Sequence, residues 1–209
     1  MKIVDLSYDI RSKMVHFKGD PVPSIKNIKF IERDGYNIKE LYFGTHTSTH
    51  VDAPSHFIKE GKSVDQLDAM AYSGLVQILD VSSSAFIDQN AVKNVFLDKV
   101  FFYTGSNENW YKMQEFEKYA FITENAAKDL VKKGVKLVGL DSPSVEDPKN
   151  LEFSAHKILL KNGTLIIENL NSMELKNLIN KVVLVIALPL KIYDGDGSPA
   201  RVIAILLDD

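Results

Sequence analysis

Apolar residues fall in short alternating groups near the start of the chain and in continuous runs near its end. Lys2–Leu6, Ser24–Ile31 and Ile38–Gly44 read as early strands. Gly74–Val81 and Val100–Thr104 read as strands separated by a helical stretch, Asp88–Val95. Ala126, Ala127, Leu130 and Val131 recur at helical spacing over Glu124–Lys133, with Thr123 as N-cap and Gly134 where a helix stops. Leu137–Leu140 and Thr164–Glu168 read as short strands. Val182–Leu188 and Arg201–Leu207 are unbroken apolar runs flanked by Pro and Gly. That pattern suits strands buried on both faces, and a buried helix shares it.

Strands outnumber helices, which gather in the middle third. No repeat, low-complexity tract or linker interrupts the 209 residues, a length that suits one domain. The expectation is a mixed α/β fold, a single domain over 1–209, with a central sheet curled toward a barrel and a few helices packed against it.

Composition narrows the function classes. Apolar residues make up 45% and charged residues 25%, ordinary globular values, and the formal net charge is -3. The basic residues are dispersed, so no nucleic-acid partner is expected. There is no cysteine, which excludes disulfides and thiolate zinc sites and leaves His, Asp and Glu as metal ligands. The N-terminus lacks a signal-peptide pattern. The apolar runs Val182–Leu190 and Val202–Leu207 fall short of the ~20 residues a membrane helix needs. A cytoplasmic protein with no membrane partner is expected.

The candidate chemistry is concentrated. Of five histidines, His46, His50 and His56 fall within eleven residues, with Asp52 among them. These four positions are separated by even numbers, so an extended strand would present them on one face. Spacing would also allow His46 and His50 to share a helix face, but the β-branched Thr45, Thr47, Thr49 and Val51 and the helix-breaking Pro54 oppose it. The segment is expected to be a strand running into a Pro-terminated loop. At ~3.3 Å per residue, a flat strand holds His46 and His50 too far apart to share an ion, so a bend near Ser48 is required. Any one of these histidines could be an ordinary hydrogen-bonded residue. The cluster, in a chain without cysteine, points to a divalent ion with an open position for water.

The stretch GTHTSTHVDAPSHF resembles the signature of the metal-dependent cyclase family, which includes bacterial kynurenine formamidases and isatin hydrolases. Positions His46, Thr49, His50, Asp52, Pro54, His56 and Phe57 match the family pattern. The resemblance extends to KIVDLSYDI, VFFYTGSNENWY, VGLDSPSVED and LLKNGTLIIENL, nearly the whole chain. Ser48 stands where the family has Gly, a residue that tolerates backbone angles Ser does not.

The resemblance implies a swivelling β/β/α-type fold and a centre that often holds two ions, zinc or manganese. His46, His50 and Asp52 would bind the first ion. Asp52 would bridge to a second, held also by His156 and Glu168, and His56 would be the catalytic histidine. Locally, Ser154 is expected to N-cap a helix over Ala155–Lys161 that ends near Gly163, and Glu168 to end an apolar strand. The implied reaction is hydrolysis of a small, aromatic or cyclic amide by metal-bound hydroxide, with His56 carrying protons. A related dehydratase or a lactone or ring-opening hydrolase would use the same ligands, and a non-catalytic metal-binding module is the alternative of another class. Phe43, Ser48, Phe57, Tyr103 and Trp110 are candidates to line the substrate pocket. A homodimer is expected, with Phe101–Tyr103 and Trp110–Tyr111 as interface candidates. His16 matches no motif and is expected at the surface.

Overall fold

A computed structural model describes residues 1–107, 110–112, 116, 118–150 and 152–206. Leu207, the last position of the final expected strand, lies outside the described residues, as does the side chain of Tyr111. The strands are β1 (Lys2–Asp5), β2 (Ser24–Lys29), β3 (Ile38–Tyr42), β4 (His50–Asp52), β5 (Ser73–Asp80), β6 (Phe86–Ile87), β7 (Lys99–Tyr103), β8 (Phe121–Ile122), β9 (Leu137–Leu140), β10 (Leu165–Glu168), β11 (Val182–Pro189) and β12 (Gly197–Leu206). The helices are α1 (Ile31–Asp34), α2 (Gln89–Val92), α3 (Glu124–Lys132), α4 (Ser154–Lys161) and α5 (Ser172–Lys176).

Eight strands form one sheet in the order β1-β12-β11-β5-β7-β9-β10-β4, and β4 pairs again with β12. That last pairing closes the sheet into the expected barrel-like form. Strands β5, β7, β9 and β10 run parallel, and the remaining pairs in this sheet are antiparallel. The long β12 makes closure possible: Gly197–Pro199 pairs with β4, and Ile203–Leu206 pairs with β1.

Along the parallel strands both faces are buried. Phe101 and Tyr103 point into the barrel, while Val100 and Phe102 point outward beneath the helical layer. Helix α3 buries Ala126, Ala127 and Leu130, and α4 buries Ala155, Leu159 and Leu160, all against that outer face. Thr123 caps α3 by accepting from the Ala126 amide, as its sequence position predicts, and Gly134 follows with φ 79°. Phe101–Tyr103 is therefore core in both layers, which removes it as interface, and Trp110 is buried as well.

The last two strands depart from expectation. Only one face of β11 is buried: Val183, Val185 and Ala187 face inward, while Val182 and Leu188 are exposed. Leu75 on β5 and Ile3 on β1 are exposed too. The helices cover the parallel half of the barrel wall and leave this antiparallel half bare. Beside it, β2 and β3 form a separate hairpin with exposed Ile28, Ile38, Leu41 and Tyr42.

Candidate metal centre

The motif segment is extended for only three residues. His46 lies in a turn over positions 45–49, β4 begins at His50, and a 3-10 turn, Pro54–His56, follows. The strand expected to run into the Pro-terminated loop is thus shorter than expected, confined to His50–Asp52. The bend falls where the ligand geometry demands it: Ser48 has φ 61°, the left-handed region. Its hydroxyl donates to the Tyr8 carbonyl at 3.2 Å, and the Tyr8 amide donates to Thr49 Oγ1 at 2.9 Å. These local bonds support a backbone conformation that Ser adopts at a cost and Gly would adopt freely.

Strand register assembles the rest. β4 lies between β10 and β12, with His50 opposite Glu168 and Asp52 opposite Gly197. A Cβ on Gly197 would stand 2.6 Å from His46 Cε1, so glycine leaves room for that imidazole. His156 enters from the first turn of α4, whose N-cap position is Phe153 and not the expected Ser154. Glu146 does the capping: it accepts from the amides of Ala155 at 3.3 Å and His156 at 3.2 Å.

All five expected ligands and His56 converge. Donor atoms of His46, Asp52 and His56 lie within 4.8 Å of one another, as do those of His50, Asp52 and Glu168. Asp52 belongs to both groups. His156 Nε2 is 3.3 Å from Glu168 Oε1 and 3.6 Å from Asp52 Oδ2. His50 and Asp52 are 1% exposed and Glu168 3%, so the cluster is dry on its inner side.

The second nitrogen of two rings is already engaged. His50 Nδ1 donates to the Ser48 carbonyl at 2.8 Å, which aims Nε2 at the carboxylates. His156 Nδ1 meets Glu146 Oε2 at 3.0 Å, the carboxylate–histidine arrangement that commonly backs a metal ligand. Both oxygens of Glu168 face histidine nitrogens, and Oε1 also accepts from the Val145 amide at 2.7 Å.

Charge balance follows from this packing. Burial opposes protonation of His46, yet Asp196 and Asp52 outweigh it and hold the pKa up at about 9. Burial likewise opposes a charge on His50, yet Asp52 and Glu168 hold it at about 10. His156 is also raised, against burial, by Asp52, Glu146 and Glu168. Burial would raise Asp52, but His156, His46 and His50 pull it well below the carboxylate range. Glu168 is lowered too: burial and Asp52 push it up, and His156 and His50 prevail.

The donor set suits a divalent ion. His50 Nε2 and Asp52 Oδ2 are buried and lack a hydrogen-bond partner among the described residues. Orphaned atoms of this kind are costly in a protein interior, and a cation shared between them removes the cost.

The structure adds residues that the sequence did not single out. Asp196 Oδ2 is 3.1 Å from His46 Nε2 and 3.5 Å from His56 Nδ1, and Oδ1 accepts from the Thr45 hydroxyl at 2.8 Å. Glu146 backs His156. A cavity of about 330 Å³ opens onto His46, His50, His56, His156 and Glu168, walled by Phe17, Phe57 and Phe153. Phe57 is thus beside the cluster. Phe43 lines a different groove, with Leu41, Arg201 and Leu190, and Trp110 stacks on Tyr8 at 4.8 Å. Ser48 and Tyr103 are buried. His16 is half-buried and lines a larger cavity next to the first.

The chain is similar to known proteins in sequence and in fold. The model of the family described as putative cyclase matches residues 4–147. A kynurenine formamidase of Bacillus cereus is 34% identical over 202 residues, covering 96% of this chain and 95% of that one. Another, of Bacillus anthracis, is 32% identical and covers 97% and 96%. Among solved structures, a protein of Bacillus stearothermophilus described as a predicted metal-dependent hydrolase superposes with a TM-score of 0.80 at 26% identity, covering 97% of each chain. Isatin hydrolase A of Labrenzia aggregata superposes with a TM-score of 0.89 at 23% identity, covering 99% and 94%.

Proposed function

This chain belongs to the cyclase family, and from that membership we propose that it is a metal-dependent hydrolase that cleaves the amide bond of a small aromatic or cyclic amide. The observation that carries the reading is the buried cluster itself. Three imidazoles and two carboxylates converge there, and the buried His50 Nε2 and Asp52 Oδ2 make no hydrogen bond among the described residues. Likeness to the kynurenine formamidases supports an aromatic N-formyl amine as substrate.

His46, His50, Asp52, His156 and Glu168 hold one or two divalent ions. An ion bound there supplies Lewis acidity, lowering the pKa of a water and polarising the amide carbonyl. The N/O donor set accepts zinc or manganese. Ser48 and Glu146 fix the ring orientations of His50 and His156 through their Nδ1 atoms. His56 sits at the cavity wall with its side chain 27% exposed, stacked on His46 at 3.9 Å. There it takes the proton of the attacking water and returns it to the leaving nitrogen. Asp196 faces His56 Nδ1 and steadies the ring.

The working form is a homodimer in the cytoplasm. The bare antiparallel half of the barrel wall supports the first part, since large apolar patches on a monomer are uncommon. No helix among the described residues is long and apolar enough to cross a membrane.

The test is metal analysis of the purified protein alongside a screen of N-formyl aromatic amines, isatin and small cyclic amides. Stoichiometric metal and turnover of an N-formyl aromatic amine are expected. Bound metal with no turnover in any class contradicts the reading.

A further inference from the structure

Two cavities meet beside the cluster. The smaller, about 330 Å³, reaches the ligands, and the larger is about 900 Å³. Phe17, Lys18, Ser144 and Phe153 line both.

Phe153 is out of place by every structural criterion. Its backbone lies at φ 52°, ψ 45°, a region that bulky L residues rarely occupy. It holds the N-cap position of α4, where Ser, Thr, Asp or Asn would accept from the helix amides, and it makes no side-chain cap bond. The residue is 39% exposed, so core packing does not account for it either. Glycine would take the same turn without strain. Strained residues of this kind cluster at sites where the side chain has a task.

The ring's neighbours indicate the task. Phe153 packs against Phe57 at 5.2 Å between centroids, tilted by 39°. Phe57 in turn packs on His156 at 4.6 Å and on His56 at 4.3 Å. An aromatic wall therefore runs from the open cavity to the imidazoles of the cluster. Its inner end meets the buried His156, and its outer member, Phe153, is partly exposed.

We propose that Phe153 forms an aryl-binding subsite with Phe57, on which the planar ring of the substrate lies while its amide group reaches the cluster. The inference rests on the hydrolase reading for the identity of the amide. The subsite itself recognises the flat apolar face of an aryl group. It makes Phe153 a residue that separates aryl from alkyl amides and holds it in a conformation that folding alone does not favour.

Calorimetric binding of benzamide to the metal-loaded protein tests this without requiring turnover. Phe153→Gly and Phe153→Leu should each weaken benzamide binding on the order of tenfold, the scale of one aromatic contact plus its buried area. Phe153→Gly should melt within about 3 °C of the parent, because relief of the left-handed strain offsets the lost packing. Benzamide binding unchanged in both variants overturns the subsite. A drop of more than about 10 °C in Phe153→Gly overturns it too, by showing that the ring serves folding. Failure of the metal-loaded parent to hydrolyse any of the N-formyl aromatic amines, isatin and small cyclic amides, with benzamide binding still dependent on Phe153, overturns the hydrolase reading and leaves the subsite supported.

Discussion

Thr49 Oγ1 donates a 2.5 Å hydrogen bond to the carbonyl of Asn169, joining the neighbour of His50 to the neighbour of Glu168 across 120 positions of sequence. The same oxygen accepts from the Tyr8 amide. One hydroxyl thus holds the two ligand-bearing strands in register and pins the turn that carries His46.

Thr49→Val keeps the shape and removes both bonds. It takes away the hydroxyl that the Tyr8 amide donates to and that donates to the Asn169 carbonyl, at about 1–3 kcal/mol for each lost bond. The melting temperature should fall by several degrees, and metal affinity should fall about tenfold or more. Thermal melts and competition against a chelator read the two effects. An unchanged affinity would separate the clamp from the site.

Glu146→Gln retains an acceptor for His156 Nδ1 and removes the charge. Loss of a carboxylate behind a ligating histidine commonly costs 10–100-fold in metal affinity or activity, and a loss of roughly that size is expected. The measurement is metal content after dialysis against graded chelator.

His50→Ala and His56→Ala should part company. The first removes a buried ligand, so the protein should lose metal and, with it, stability. The second should keep its metal and lose about 10²–10⁴-fold in turnover, the usual size of a general acid–base contribution. If His56→Ala loses metal as completely as His50→Ala, His56 is a ligand, an outcome its proximity to His46 and Asp52 makes worth checking.

Stability against pH follows from the cluster's charges. The pKa values of His46, at about 9, and His50, at about 10, are raised above the ordinary 6.5. Their stabilising contribution is therefore complete below pH ~6.5 and is lost as pH rises through those raised values. Asp52 and Glu168 are lowered, so theirs is present above pH ~4–4.5 and is lost as pH falls through their depressed values. Chelated protein should melt progressively lower between pH 7 and 9.5. Metal-loaded protein should decline less, because deprotonated imidazoles are the form that binds an ion. Melts across that range check both, and a chelated protein indifferent to pH would contradict the charge assignment.

Much of the site was legible because its residues are chemically conspicuous. His46, His50, Asp52 and His56 sit in one short segment, whereas His156 and Glu168 are picked out by the family resemblance, with which a carboxylate ending an apolar strand is compatible. Even the bend could be inferred, since a flat strand cannot deliver both imidazoles to one point. Asp196 was not legible. It lies in a turn beside Asp194, and only the pairing of Gly197 with Asp52 selects it. Phe43 and Trp110 are aromatics that suit a flat substrate, whereas Phe43 lines the groove with Leu41, Leu190 and Arg201, and Trp110 stacks on Tyr8. Phe153 precedes the helix that Ser154 is expected to cap, and nothing in its sequence signals a left-handed backbone or a cap supplied by Glu146. The apolar runs of β11 and β12 suggested burial on both faces because sequence shows that a face is apolar and not what covers it.

The most direct test of the central claim is to strip the protein with chelator and titrate zinc or manganese back while following hydrolysis of an N-formyl aromatic amine. The expected result is no turnover in the stripped protein and full recovery at one or two ions per chain. Undiminished hydrolysis by protein shown to be free of metal would contradict the account, as would a fully loaded protein that leaves the amide intact.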